Sequence, residues 1–211
     1  MPPNVDLSLV EMVPDCPAEA VSGRPWDSRG DGCPGSVDAL VDFATGDIDA
    51  FWQYELRNHG LPYSPPARLV GYDDLTGTAC GLASNLAFYC PGDAAIYFDS
   101  RLMRDQFEAV GPYGPVLILA HEWARLIQHQ LSMADAGLSS VELELQADCF
   151  AGAYVRRPAA DNVYDQVGPT AAAGLVFGAV AWSPYAAASA PAERVAWFNR
   201  GLAEGLNSCL D

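Results

Sequence analysis

Only three histidines occur in the 211-residue chain, His59, His121 and His129, so imidazole chemistry has few places to sit. His121-Glu122 falls inside Val116-Leu117-Ile118-Leu119-Ala120-His121-Glu122-Trp123-Ala124-Arg125-Leu126-Ile127. In so apolar a stretch a charged pair needs a reason to be buried. Positions i and i+4 project from one helical face, so a His-Glu followed after two spacers by a second His can hold one zinc ion while the Glu activates its water. Here the fifth position is Arg125, whose guanidinium stays protonated and offers a cation no lone pair. Glu144 and Asp148 form a second i, i+4 pair further on. Alone, such a pair reads as a solvated face. One helix after a buried His-Glu, it can supply one carboxylate to a metal and another to orient a histidine from behind. His129 would lie about 12 Å from His121 along the axis of an unbroken helix, too far to share a metal whose bonds to nitrogen are about 2.0 Å. His129 and His59 are read as helix-end or surface histidines.

The chain as a whole excludes several chemistries. All 11 basic residues are arginine, so no lysine can form a Schiff base or serve a phosphate-binding loop. With 27 acidic residues and a net charge of −16, the protein would repel a nucleic-acid backbone. A membrane-spanning helix is not expected, because no apolar run approaches the ~20 residues needed. Half the residues are apolar and 18% charged, as in globular domains. Six cysteines point to an oxidising compartment, the alternative being a cytosolic protein with reduced thiols. Met1-Pro2-Pro3-Asn4 has neither the basic nor the apolar region of a signal peptide. We expect a secreted protein, or one on the periplasmic side of the cell envelope, with Met1 standing where an export signal or lipoprotein segment was.

Residues 1–35 hold six prolines with Cys16 and Cys33 and are read as an irregular arm, preceding a domain over 36–211. A helix is predicted from Ser36 to the stop at His59-Gly60, with Gly46 as the point where it could break. Residues 67–72 and 94–98 read as strands, and the turn-rich segment between them carries Cys80 and Cys90. A short helix to Val110 and a break at 111–114 precede a buried helix from Pro115 to about Leu131. Another helix follows from Ser139 or Ser140 to Pro158, and two more cover 170–181 and 192–206. The fold class is α+β, mostly helical with a small antiparallel sheet.

Several ordered motifs give these elements a likeness. Cys80-Gly81, Phe88-Tyr89-Cys90-Pro91, Tyr97-Phe98-Asp99, His121-Glu122, Glu144-Leu145-Gln146-Ala147-Asp148-Cys149, Arg194-Val195-Ala196-Trp197-Phe198 and Cys209 together resemble the bacterial neutral zinc metallopeptidases. The resemblance implies a zincin-like fold, with His121 as first ligand, Glu122 as catalytic base, Glu144 as third ligand and Asp148 as the carboxylate orienting His121. Two segments depart from the family: its Gly-His is Ala124-Arg125, and its His-Gly-Ser-Ser is Ala188-Ser189-Ala190-Pro191. Without the second ligand, Glu122 reads as a vestigial base and His121 and Glu144 as vestigial ligands. No cofactor is expected, zinc being the alternative. Carboxylates crowded in a buried place need neutralising, and Arg125, able to grip a carboxylate with its fork, reads as the replacement for the metal. Six cysteines allow many pairings; those expected from the motif order are Cys16–Cys33, Cys80–Cys90 and Cys149–Cys209.

The functional expectation is a degenerate peptidase that binds a peptide or protein partner by edge pairing beside Ile96-Tyr97-Phe98. Its rivals are an active metallopeptidase with a rebuilt metal site and a structural subunit that works through other surfaces. The acidic charge favours a basic or neutral partner.

Overall fold

The computed structural model describes residues 37–160, 168–179 and 190–210. The expected arm and the Cys16–Cys33 pair lie outside them. Helix α1, Val37–Asn58, buries Leu40, Val41, Ala44, Ile48, Trp52 and Leu56 at helical spacing and runs unbroken through Gly46. Its end is set by Gly60, which takes a positive φ of 68°, a conformation cheap only for glycine.

Five strands follow: β1 (Arg68–Tyr72), β2 (Thr76–Thr78), β3 (Gly81–Ala83), β4 (Ala87–Cys90) and β5 (Ala95–Asp99). The small main sheet has the order β1-β5-β4, antiparallel across β4–β5 and parallel across β1–β5. β2 and β3 form a separate antiparallel pair. The turn-rich reading of 73–93 is therefore corrected. β4 escaped it because all four of its residues are buried, which removes the alternation that marks a half-exposed strand. A second correction concerns partner binding. β5 is flanked on both sides, so Ile96–Phe98 has no free edge to lend.

Asp99 caps α2 (Ser100–Val110), accepting from the N–H groups of Arg101 and Leu102 at 2.8 and 3.3 Å. Helix α3, Tyr113–Gln130, begins two residues before the expected Pro115 and is buried along nearly its whole length. Gly114 lets it cross α2, since a Cβ there would stand 2.4 Å from the Gln106 carbonyl oxygen. α4 (Ser140–Ala160), α5 (Pro169–Ala179) and α6 (Pro191–Glu204) complete the helical part.

α4 and α6 meet backbone to backbone. A Cβ on Gly152 would stand 2.0 Å from the Phe198 carbonyl oxygen, and one on Gly201 1.9 Å from that of Cys149. The Cys149–Cys209 disulfide fastens the same contact, and Cys80–Cys90 ties the β2–β3 pair to β4. Gly201→Ala should therefore push α6 from α4 and cost about 1 to 3 kcal/mol or more. Gly46→Ala, with nothing within 4 Å of the added Cβ, should stabilise by about 0.4 to 1 kcal/mol. Urea unfolding of the two variants checks both signs.

Candidate active site

Three helices and one strand converge on a buried polar cluster. α3 contributes His121, Glu122 and Arg125, α4 contributes Glu144 and Asp148, α6 contributes Arg194, and β4 contributes the Tyr89 N–H. Asp148 lies at the centre. It accepts from His121 Nδ1 at 2.8 Å and from Arg194 through a two-pronged contact, Nε and Nη2 each at 2.7 Å. Arg194 is itself 1% exposed and its guanidinium lies 4.7 Å from the Phe177 ring centroid on α5. With its Nδ1–H committed to Asp148, His121 turns Nε2 toward Glu144 Oε2, 3.3 Å away.

Arg125 reaches Glu144 from the next turn of α3. Its Nε lies 3.4 Å from Glu144 Oε1, while Nη1 donates to Gln128 Oε1 at 2.8 Å. Arg125 thus meets Glu144, and through Nη1 also a neighbour three residues along its own helix. Gln128 continues inward, donating to the Leu143 carbonyl and to Gln146 Oε1, and Gln146 donates to the Cys209 carbonyl. Glu122 Oε2 accepts from the Tyr89 N–H at 2.7 Å. Among the described residues Glu122 Oε1 and both Glu144 oxygens are buried without a close hydrogen bond, the Glu144 oxygens being met by His121 and Arg125 at ion-pair distance.

Burial and neighbouring charges set the protonation of the cluster. Burial opposes the charged form of His121, but Glu144 and Asp148 outweigh it and raise its pKa to about 9. Burial pushes Glu122 up to about 7, against the pull of His121. Glu144 would also rise by burial, yet His121, Arg125 and Arg194 hold it below the ordinary carboxylate value.

His121, Glu122, Arg125, Glu144 and Asp148, singled out from the sequence, come together here. His129 does not; it shares a 2.9 Å hydrogen bond with the Tyr89 hydroxyl. Exposed His59 donates to the Glu55 carbonyl at the end of α1. Sequence reasoning missed the role of Arg194, the Tyr89 N–H and the two glutamines. A signal existed only for Arg194, as an arginine inside the otherwise apolar Arg194-Val195-Ala196-Trp197-Phe198 motif.

The family described as "Putative neutral zinc metallopeptidase" matches residues 27–173. The chain belongs to this family. Within curated proteins, YpfJ of Escherichia coli strain K12 is 32% identical across 49% of this chain and 42% of its own length. Rv2575 of Mycobacterium tuberculosis strain H37Rv is 35% identical across 53% of this chain and 41% of its own. The chain therefore matches about two fifths of the length of these relatives. No solved structure matches.

The zinc that the family name implies can be tested against the donors present. His121 Nε2 and Glu144 Oε2 suit it, but a catalytic zinc needs three protein ligands, and the remaining corner belongs to a guanidinium. Among the described residues no group of three or more His, Cys, Asp or Glu side chains could hold a metal ion. The described residues do not fit the ion.

Truncating the two arginines should separate their roles. Arg194→Met strands a buried carboxylate and should cost about 3 to 5 kcal/mol. Arg125→Ala should cost less, about 1 to 3 kcal/mol, because its side chain is 21% exposed and only grazes Glu144. Equal losses in denaturant titrations would contradict that order.

Proposed function

We propose that this member of the neutral zinc metallopeptidase family is metal-free and catalytically inactive, and that it acts outside the cytoplasm by binding a peptide or protein partner. One observation carries the reading: the place one helical turn after His121, facing Glu144, is filled by the Arg125 guanidinium at 3.4 Å. A general base without an activated water has nothing to work on, and Glu122 already spends one oxygen on the Tyr89 N–H.

Two disulfides support an oxidising compartment, and no described helix is long and apolar enough to cross a membrane. The partner is placed on the sheet edge that is open among the described strands. That edge is β1, with Arg68, Leu69 and Gly71 exposed. The Asp99 N–H bonds to the Leu86 carbonyl while the Tyr89 N–H turns away to Glu122, so residues 95, 97 and 99 of β5 face β4 and residues 96 and 98 face β1. In the parallel register of β1 with β5, the backbone of Arg68, Val70 and Tyr72 then bonds to β5, and that of Leu69 and Gly71 faces the open side. An extended segment could add there by main-chain hydrogen bonds, and the net charge of −16 favours a basic one.

Protein purified without chelator should contain far less than one zinc per chain by elemental analysis and should leave a general protease substrate uncut with zinc supplied. About one bound zinc per chain, or cleavage abolished by Glu122→Gln, would overturn the inactive reading. An arginine-rich extended peptide should raise fluorescence anisotropy with the wild type and much less with Leu69→Pro, which removes one outward N–H from an edge strand. Equal binding by both would move the partner elsewhere.

A further inference from the structure

We infer that a groove between α1, α4 and the turn after α6 binds a small zwitterion, a free amino acid or short peptide that carries an ammonium and a carboxylate together. The groove shares no residue with the Asp148 cluster or with β1, so this site goes beyond the function proposed above and does not depend on it.

The groove has a volume of about 790 Å³, within the range of small-molecule sites. α1 lines it with Ala50, Phe51, Tyr54 and Glu55, and α4 with Ala153 and Arg156, at the three- and four-residue steps that bring side chains to one side of a helix. Ala50 and Ala153 project a single methyl each, which leaves the space open. Phe51 is set edge-on to Trp52 and Tyr154, with ring centroids 5.2 and 5.5 Å away. Tyr54 is 49% exposed, so the groove offers an aromatic surface to an apolar side chain.

The charges of the groove divide into a spent pair and an unspent set. Asp47 accepts from Arg157 and, at 2.9 Å, from the Tyr154 hydroxyl, so those two charges answer each other. Arg156, Glu55 and Glu204 line the same groove and make no ion pair among the described residues. Gly205 makes room for the Arg156 guanidinium at the α6 end. A Cβ at that position would stand 3.2 Å from Nη1, on a backbone whose φ of +85° is cheap only for glycine.

A cation and two carboxylates that stand in one groove without pairing are complementary to a ligand carrying both signs. The guanidinium fork takes a carboxylate through two parallel N–H···O bonds, and an ammonium meets Glu55 or Glu204. A simple anion is disfavoured twice. It would share the groove with the carboxylates of Asp47, Glu55 and Glu204, and the net charge of −16 repels it on approach. A simple cation leaves Arg156 unanswered. A zwitterion has no net charge to be repelled, satisfies both signs, and lays its side chain against Phe51 and Tyr54.

The test is calorimetric titration of the full chain with the dipeptide alanylphenylalanine, its N-acetyl form, its C-terminal amide and inorganic phosphate. The free dipeptide should bind once per chain, and capping either end should weaken it about 10-fold or more, the scale of one hydrogen bond to a charged group. Arg156→Gln should cost the free dipeptide a similar factor and leave the affinity of the C-terminal amide unchanged. Ala50→Trp should abolish binding by filling the groove. Both positions are exposed, so the variants should melt with the wild type when no ligand is present. The inference is overturned if the free dipeptide gives no binding at millimolar concentration, if the capped forms bind as well as the free one, or if phosphate binds as tightly. Affinity unchanged by Arg156→Gln, or binding that survives Ala50→Trp, overturns it as well.

Discussion

A single buried carboxylate organises the site. Asp148 is inaccessible, and an isolated charge in such a place would cost several kcal/mol. What makes it tolerable is a full set of charged donors, His121 from α3 and both prongs of Arg194 from α6. Three helices are thereby registered against one another at one atom group. The glycine contact between α4 and α6 exists at the spacing this demands: with Cβ atoms at positions 152 and 201 the helices could not approach closely enough for Arg194 to reach. The apolar core supplies the bulk of the burial, and the Asp148 contacts decide which arrangement of the helices it stabilises.

The same cluster is balanced by its own side chains. His121, Arg125 and Arg194 face Glu122, Glu144 and Asp148. With its pKa raised to about 9, His121 is protonated at neutral pH, and Glu122, at about 7, is the group closest to giving up its charge. A divalent cation beside two neutral histidines would deliver the same two positive charges that Arg125 and protonated His121 deliver here. An arginine at this position therefore supplies positive charge where the family's histidine supplies a ligand, and that charge helps a buried polar centre to persist.

Much of this was legible in the sequence, and the reasons for the remainder are physical. α1 announced itself by apolar spacing and α3 by unbroken hydrophobicity, and the i, i+4 rule brought Glu144 and Asp148 onto one face opposite His121. β4 was missed because a wholly buried strand of four residues carries no alternation. Arg194 lies 46 residues from Asp148, and no local periodicity encodes a partner at that distance. The Tyr89 contribution comes from the backbone, which every residue type possesses. The part Gln128 plays has the same root: by composition it is an ordinary helix residue, and only the structure shows it accepting from Arg125.

The 60-residue separation of Cys149 and Cys209 bears on the order of assembly. Contacts between α3 and α4 close a short loop, while those of α6 must wait for a long one, and non-local closures are the slow ones. Before α6 arrives, Asp148 has only His121 to answer its charge. The polar centre is therefore completed by the last segment of the chain, and a 60-residue cross-link, which removes about 4 kcal/mol of loop entropy in the chain-entropy model, holds that segment once it has docked. A chain that reaches an oxidising environment has its centre locked shut by the solvent it meets. One kept reduced must find the same arrangement by reversible docking alone.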